Sequence, residues 1–381
     1  MDHLQKAVRA TALLAAAVLA LTGCGAKGER PSEGEGENVA TPPAFALAAP
    51  YSYCDDKYQN RLAVSGEDGT VYFQGRQAVY RADSNGSVAP LVTEDDSIRS
   101  LRLYCGALYY DVIHGTDPFS YTRSSYRFDL QSGQKDELPF TVELCRLIGT
   151  TLYTLQPDDG RDFGSGEHLE KYDLSDPATG PVALPVEEDE LPPLGGLSAL
   201  PQPFQRGEGI YFTVKSNEED AKHPSLEVYL QRLGDAESHT LAASIADSRT
   251  VTGTPLVTHR GCVYIRQPHS GPEGEAAEGS LCLAPFDGQP EQILHTFAGG
   301  SSVTLLNWDE HWVYLEVSGH LVRLSFDGAQ WQEYEEIALS IHSPAVSIAG
   351  GWGYCFDTAA GAYIRFSLDD PCVRQAEPFA P

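Results

Sequence analysis

Carboxylates are the most abundant groups in this chain that could do chemistry, with 54 Asp and Glu in 381 residues. They form adjacent pairs and short runs that could supply general acids and bases or calcium ligands. These runs are Asp55-Asp56, Asp95-Asp96, Asp158-Asp159, Glu187-Glu188-Asp189-Glu190, Glu218-Glu219-Asp220 and Asp369-Asp370. Adjacency in sequence does not place two carboxylates in one cavity, so we interpret the runs as charged loops.

The familiar catalytic motifs are absent. The sequence lacks Gly-x-Ser-x-Gly, His-Glu-x-x-His, the P-loop, the dinucleotide-binding glycines and the EF-hand loop. The histidines are scattered, and no two have a familiar metal-ligand spacing. The sequence therefore predicts no catalytic residue, no metal and no cofactor.

Cysteines are the second group of reactive side chains, and their spacing matches no zinc or redox motif. The eight are Cys24, Cys54, Cys105, Cys145, Cys262, Cys282, Cys355 and Cys372. Cys145, Cys282 and Cys355 lie in apolar runs, where a small buried hydrophobic side chain is the favoured interpretation. An extensive disulfide framework is the alternative.

The amino-terminal segment is predicted to be an export signal. Two basic residues precede an apolar run over 12–20, which is too short to span a bilayer. The next four residues, Leu21-Thr22-Gly23-Cys24, resemble the lipobox of bacterial lipoproteins. The resemblance implies diacylglycerol on the Cys24 sulfur, cleavage after Gly23 and an acyl-chain anchor in the bacterial cell membrane, at its extracytoplasmic face. An ordinary secretory signal is the alternative.

Composition divides the chain into three parts: a signal peptide (1–23), a lipidated cysteine with a linker (24–43) and a folded domain (44–381). The linker is rich in Gly, Glu and Pro and cannot bury enough apolar surface to fold, so we expect a flexible tether. The formal net charge of −28 repels phosphate backbones, so nucleic-acid binding is not expected. A cationic partner suits this charge better.

A tyrosine flanked mainly by apolar residues recurs seven times, at spacings of 37, 44, 58, 53, 50 and 40 residues. A strand that often carries Arg or Lys and then a glycine-containing hairpin turn follow it. A strand before the tyrosine and one after the turn complete each unit. The tyrosines are Tyr72, Tyr109, Tyr153, Tyr211, Tyr264, Tyr314 and Tyr354, and the basic residues are Arg81, Arg127, Lys171, Arg323 and Arg365.

Four antiparallel strands at a period of about 40 to 50 residues describe a β-propeller blade. The sequence therefore predicts an all-β fold, a seven-bladed β-propeller of four-stranded antiparallel blades. We expect the recurring tyrosine to pack between blades. The basic residues are expected to be solvated or to lie at an edge.

Two sequence segments, together with the strands after them, carry a resemblance to a known family: Gly69-Thr70-Val71-Tyr72-Phe73 and Trp312-Val313-Tyr314-Leu315. They resemble bacterial lipoproteins of unknown function whose propeller is compared with that of low-density-lipoprotein-receptor proteins. More loosely, they are similar to TolB-like propellers. The resemblance spans residues from about 50 to 381 and implies the fold. Receptor propellers carry Tyr-Trp-Thr-Asp at the tyrosine segment and this chain does not, so their ligands are not implied.

Loops between the second and third strands of a blade emerge on the same face as the connections between blades. They are long in the four middle units, and loops on a rigid scaffold often carry function. We name the candidate binding residues on them the loop crescent: His114, Asp117, Phe119, Tyr121, Asp158, Asp159, Asp162, Phe163, His168 and His223. Aromatic side chains beside carboxylates suit a cationic peptide, a protein or a sugar. Neutral loop growth is the alternative.

Closing the ring brings the two ends of the folded domain together. We therefore predict that Cys54 and Cys372 form a disulfide, which requires Cα atoms roughly 4.4 to 6.8 Å apart.

The expected function is that of a membrane-anchored extracytoplasmic β-propeller, a non-enzymatic binding or scaffold module for a protein or glycan. A propeller hydrolase or lyase that acts on cell-envelope or host glycans is one alternative. Carboxylates converging at the central channel would favour it. An envelope assembly protein of TolB-like type is the other, and a stoichiometric protein partner would favour it.

Overall fold

The computed structural model describes residues 61–379 except for 67, 85, 116–120, 149, 158–166, 175–182, 187–201, 206–209, 218–223, 233–239, 268–277, 287, 341–343 and 371. The described strands form seven antiparallel sheets, each of four strands consecutive in the chain. The protein is thus a seven-bladed β-propeller, and the fold predicted from the repeat is confirmed. None of the helical segments in the described ranges is long and apolar enough to cross a membrane.

The first four blades contain sixteen strands. Blade 1 consists of β1 (Ala63–Ser65), β2 (Val71–Gln74), β3 (Ala78–Ala82) and β4 (Val88–Thr93). Blade 2 consists of β5 (Ser97–Tyr104), β6 (Ala107–His114), β7 (Thr122–Asp129) and β8 (Lys135–Leu138). Blade 3 consists of β9 (Cys145–Ile148), β10 (Thr151–Pro157), β11 (Glu167–Asp173) and β12 (Ala183–Pro185). Blade 4 consists of β13 (Gln202–Gln205), β14 (Ile210–Asn217), β15 (Ser225–Arg232) and β16 (Thr240–Ala246).

The last three blades contain twelve strands. Blade 5 consists of β17 (Val251–Val257), β18 (Gly261–Arg266), β19 (Gly279–Pro285) and β20 (Gln292–Phe297). Blade 6 consists of β21 (Val303–Trp308), β22 (Trp312–Val317), β23 (His320–Ser325) and β24 (Trp331–Ala338). Blade 7 consists of β25 (Val346–Ala349), β26 (Trp352–Asp357), β27 (Ala362–Ser367) and β28 (Arg374–Ala376). Short 3₁₀ turns at Val142–Leu144 and Ser248–Thr250 lead into blades 3 and 5.

The first strand of each blade is the innermost. Contacts between neighbouring sheets join β1 to β5 and β25, β9 to β13, and β21 to β17 and β25. The first strands therefore surround the central axis, and the fourth strands lie at the outer edge. Both the connections between blades and the second-to-third-strand loops lie at the end where the first strands begin, which we call the loop face.

Apolar and polar contacts between blades 7 and 1 close the ring. The Leu62 backbone N–H donates to Ser347 Oγ at 2.8 Å. Phe379 is buried edge-on against Phe73, with ring centroids 4.9 Å apart. The Arg76 backbone N–H donates to the Glu377 carboxylate at 3.0 Å. The carboxyl-terminal segment thus latches onto blade 1.

The recurring tyrosines and basic residues form directly opposed cross-strand pairs. Tyr72 lies opposite Arg81, Tyr109 opposite Arg127 and Tyr314 opposite Arg323, with the same pairing in blades 3 and 7. The six recurring tyrosines whose side chains are described are all buried, which agrees with their predicted role in packing. Opposed side chains of this kind stabilise a sheet.

The basic residues are not uniformly solvated, contrary to the sequence prediction. The Arg81 side chain is 49% exposed, but Arg365 is only 4% exposed. The Arg365 guanidinium lies 4.6 Å from the centre of the Trp352 ring, and the Arg323 guanidinium lies 4.3 Å from that of Trp312. Aromatic faces attract these cations, and the aliphatic stems of the arginines fill space between blades.

Blade 5 breaks the regularity of the repeat. Tyr264 packs with the apolar cluster shared by blades 4 and 5, whereas Val263 and Ile265 pack with blade 6. Tyr314 in blade 6 instead faces blade 7. Adjacent strand residues point to opposite faces, so a shift of one residue turns the tyrosine around. The sequence phrase does not reveal this reversal.

The buried cysteines behave as small apolar side chains. Cys145, Cys282 and Cys355 are at most 1% exposed, which agrees with the sequence interpretation. Burial raises the pKa of the Cys262 thiol to about 12 and that of Cys282 to about 11. These thiols are therefore protonated at neutral pH and are poor nucleophiles.

Candidate functional site

The loop face has the uneven loop lengths that the sequence predicts. The loops between the second and third strands are short in blades 1, 6 and 7, where they span 75–77, 318–319 and 358–361. They are longer in blades 2 to 5, where they span 115–121, 158–166, 218–224 and 267–278. Part of the extra length in blades 2, 3 and 4 is strand, because the second and third strands have seven or eight residues each. These blades extend their central hairpins toward the loop face.

Three residues of the loop crescent lie within the described ranges. His114 ends β6, Tyr121 precedes β7 and is 45% exposed, and His168 lies in β11. The other seven lie outside the described residues: Asp117, Phe119, Asp158, Asp159, Asp162, Phe163 and His223. The crescent as one surface therefore stays a prediction.

Both described histidines of the crescent contact carboxylates. His114 Nδ1 lies 2.8 Å from Asp96 Oδ2, and the side chains are 38% and 44% exposed. His168 Nε2 lies 3.3 Å from Glu170 Oε1. Exposed pairs of this kind contribute little to stability.

The most developed polar structure on this face surrounds Asp111 in β6. The side chain is fully buried. Its Oδ1 accepts the Ser125 hydroxyl at 2.6 Å and the Val142 backbone N–H at 2.9 Å. Its Oδ2 accepts the Glu143 backbone N–H at 3.0 Å and lies 3.6 Å from Arg123 Nη1. Asp111 thus ties the central hairpin of blade 2 to the connection that enters blade 3.

Burial raises the pKa of Asp111 above its ordinary value, although the bonds from Ser125 and the backbone act in the opposite direction. Removal from water penalises the charged form, and hydrogen bonds to that form favour it. A buried carboxylate is tolerated when donors satisfy it, as they do here.

A second set of ion pairs extends this network toward the ring axis. The Glu143 carboxylate accepts Arg123 Nη1 at 3.0 Å and Arg61 Nη1 at 2.9 Å. Arg61 lies two residues before β1, so Glu143 joins blade 1, blade 2 and the entry to blade 3. We call Arg61, Asp111, Arg123, Ser125 and Glu143 the Asp111 network.

The Asp111 network also supports the loop crescent. The Arg123 guanidinium lies 5.9 Å from the centre of the Tyr121 ring. Arg123 is in turn held by two carboxylates, which fix its position. The exposed aromatic residue at the base of loop 115–121 thus rests on a preorganised cation.

A cavity of about 370 Å³ lies beside this network, among the inner strands of blades 5 and 6 and the starts of blades 7 and 1. Its lining is mainly aliphatic, with threonines and one arginine among the described residues. The residues are Arg61, Thr252, Gly253, Thr254, Leu256, Ile265, Val303, Thr304, Leu305, Leu306, Pro344 and Ala345. Its volume is in the range of small-ligand pockets.

The polar groups described around Asp111 do not include an activated serine. The Ser125 hydroxyl donates to Asp111, but this carboxylate also holds two backbone N–H groups and an arginine. A nucleophilic serine needs a base that is ready to take its proton. In the described ranges, no three His, Cys, Asp or Glu residues are grouped so that they could hold a metal ion.

Cys372 is exposed, and Cys54 lies outside the described residues. Their disulfide therefore stays a prediction. Cys24 also lies outside the described residues, and so does the whole export signal.

The Asp111 network was not predicted from the sequence. The available signal was a carboxylate within the apolar run Leu108-Tyr109-Tyr110-Asp111-Val112-Ile113. A charge at a buried strand position needs partners, and that need points to a polar site. The identity of those partners required the three-dimensional structure, because Glu143 is 32 residues away.

No protein-family model matches the sequence, and no curated protein matches it. Solved structures with a similar fold include a puromycin-hydrolysing peptidase of Mycobacterium tuberculosis, with 12% identity, a TM-score of 0.46 and coverage of 86% of this chain and 55% of that one. The tricorn protease is 11% identical, with a TM-score of 0.42 and coverage of 84% of this chain and 34% of that one. TolB of Acinetobacter baumannii is 12% identical, with a TM-score of 0.34 and coverage of 70% of this chain and 64% of that one.

These likenesses concern the fold alone. The chain spans between about a third and two thirds of the lengths of the three proteins. The class that the fold defines is the seven-bladed β-propeller.

Proposed function

We propose that this protein is a lipid-anchored extracytoplasmic propeller that binds a protein or glycan through its loop face. The anchor is inferred from the sequence ending at Cys24, which would carry the lipid. The binding role is inferred from the loop face. Nucleic acid is not a proposed partner, because the chain carries a formal charge of −28.

The Asp111 network is the observation that carries the binding proposal. It fixes the base of loop 115–121 through Arg123 and the entry to blade 3 through Glu143. A recognition site needs side chains held by a rigid supporting shell. Here a network with a fully buried carboxylate stabilises the face that carries the longer loops.

The loop crescent supplies the proposed contact surface. Tyr121 is exposed, and Phe119 and Phe163 are the other aromatic residues of the crescent. A few aromatic residues usually contribute most of the binding energy of an interface. Carboxylates of the crescent such as Asp117 favour a partner with basic groups.

Capture with the detergent-solubilised full chain, followed by mass spectrometry, tests the proposal. A protein recovered in stoichiometric amount should bind the triple variant Phe119→Ala/Tyr121→Ala/Phe163→Ala at least about 2 kcal/mol more weakly. The melting temperature should not change, because exposed loop residues contribute little to the core.

A matched triple variant on the opposite face is the control. Gln131, Glu310 and His311 are exposed residues in its turns, and their replacement by Ala should leave binding unchanged. Equal binding by the loop variant and the parent, or a larger loss in the control, would contradict the proposal.

A further inference from the structure

We propose that the cavity of about 370 Å³ beside the Asp111 network is a separate binding site for the carboxyl-terminal end of a short aliphatic peptide, with the terminal carboxylate at Arg61. This site does not depend on the loop crescent. The proposal rests on the position of the cavity, its lining, the fixed arginine and the irregular inner strand of blade 5.

The cavity lies at the loop-face end of the ring. Arg61 precedes β1, and Pro344 and Ala345 precede β25, so the lining includes the points where the chain enters two inner strands. Thr252 and Val303 are near the starts of their own inner strands. A peptide that lies across this end of the ring could therefore place its terminal carboxylate at Arg61.

The lining matches an aliphatic peptide. Leu256, Ile265 and Val303 provide branched apolar surface, and three threonines provide hydroxyl groups that can donate and accept hydrogen bonds. No aromatic residue is among the described residues that line the cavity. Sugars commonly stack on aromatic rings, so this lining favours a peptide over a sugar.

Arg61 is the charged residue of the described lining, and its position is fixed. Its Nη1 donates to Glu143 at 2.9 Å, and Glu143 is held by Arg123 at 3.0 Å. The Arg61 side chain is 27% exposed, so it is partly shielded from water. Guanidinium groups recognise carboxylates through charge-assisted hydrogen bonds, and a preorganised donor loses less entropy when it binds.

The inner strand of blade 5 has a bulge in the cavity wall. Thr252 pairs with Ile265 and Leu256 with Val263, so residues 253–255 lie opposite a single residue of β18. Gly253 has φ of +71°, and both it and Thr254 are exposed. Bulges disrupt the strand ladder and are common beside functional sites. This one presents main chain to the cavity, where an extended peptide could pair with it.

Electrostatics further restrict the ligand. The chain is strongly acidic, so a ligand with several negative charges would be repelled by the whole molecule. A peptide with one terminal carboxylate places its negative charge at Arg61. Any basic groups closer to its amino terminus would then face the acidic protein.

The test uses the full chain in detergent and one pair of synthetic probes. These are acetyl-Ala-Ala-Ala-Leu-Val with a free carboxylate and the same peptide as its carboxyl-terminal amide, with affinities measured by calorimetry. The acid should bind about tenfold more tightly than the amide, because the amide loses the charge-assisted bonds. Arg61→Gln should bring the two affinities to within about twofold.

A blocking variant provides a second measurement in case Arg61→Gln disturbs the Asp111 network. Thr254→Phe fills the cavity from an exposed position and should abolish binding of both probes. Thr296→Phe, at an exposed position in the outer strand of the same blade, is its matched control. Arg81→Gln, on the exposed side of β3, is the control for Arg61→Gln. Both controls should bind as the parent does.

Several results would overturn the proposal. These are equal affinity for acid and amide, no binding of either probe at millimolar concentration, or unchanged binding by Thr254→Phe. Glucuronate binding as tightly as the peptide acid would show a general carboxylate site and would also refute the peptide assignment. The loop variants described above leave the cavity residues intact, so failure at one site is distinguishable from failure at the other.

Discussion

Replacing Asp111 with Asn tests whether the Asp111 network stabilises the loop face. Asn has nearly the same volume and keeps one oxygen, which can still accept from Ser125 and Val142. The amide nitrogen replaces the oxygen that accepts the Glu143 N–H at 3.0 Å and faces Arg123 at 3.6 Å. A lost bond to a charged group costs about 1.5 to 3 kcal/mol, and Arg123 also loses an ion-pair partner. We expect the free energy of unfolding to fall by about 2 to 4 kcal/mol.

Urea denaturation of the full chain measures this loss. Asp95→Asn is the matched control, because Asp95 is an exposed carboxylate in the connection between blades 1 and 2. Its effect should stay within about 0.5 kcal/mol. If Asp111→Asn unfolds at the same urea concentration as the parent, the carboxylate does not anchor this face and the reasoning is refuted.

The loss of stability in the Asp111→Asn variant should also depend on pH. Burial raises the pKa of Asp111 in the folded protein, so between the ordinary pKa of about 3.9 and the raised one the folded state binds more protons. The stability that this proton binding provides is fully present below the pKa that Asp111 has in the unfolded chain. It is lost as the pH rises through the pKa that Asp111 has in the folded protein. The difference between parent and variant should therefore be larger near about pH 4 than near about pH 7. A smaller difference in acid would contradict the raised pKa.

Three further predictions concern the ends of the chain. Phe379→Ala should lower stability by about 3 to 5 kcal/mol in a denaturation experiment, because the ring is buried between two aromatic rings of blade 1. An unchanged transition would show that the carboxyl-terminal latch does not close the ring. Cys24→Ala should abolish incorporation of labelled palmitate, and persistent labelling would rule out anchoring at this residue. A peptide map of the oxidised protein should recover Cys54 joined to Cys372, and two free thiols would contradict the disulfide.

The architecture could be predicted because each repeat unit in the sequence corresponds to one blade. The tyrosine segments around Tyr72 and Tyr314 form second strands, and the spacing between successive segments equals the length of one blade. The turn residues mark where hairpins reverse. Local chemistry of this kind needs no information from distant parts of the chain.

Features that depend on distant contacts were not predictable in the same way. Tyr264 faces blade 4 because the alternation of side chains along β18 is shifted by one residue relative to β22 in blade 6. Burial of Arg365 depends on residues of other strands, including Trp352. The Asp111 network joins three blades, and the bulge after Thr252 becomes visible only in the strand pairing.

Hydrogen exchange with and without the captured partner reports which face of the propeller the partner covers. We expect slower exchange in peptides from 115–121 and 158–166, and unchanged exchange in the turns at 131–134 and 326–330 on the opposite face. Protection confined to the opposite face, or equal protection of both faces, would contradict binding through the loop face.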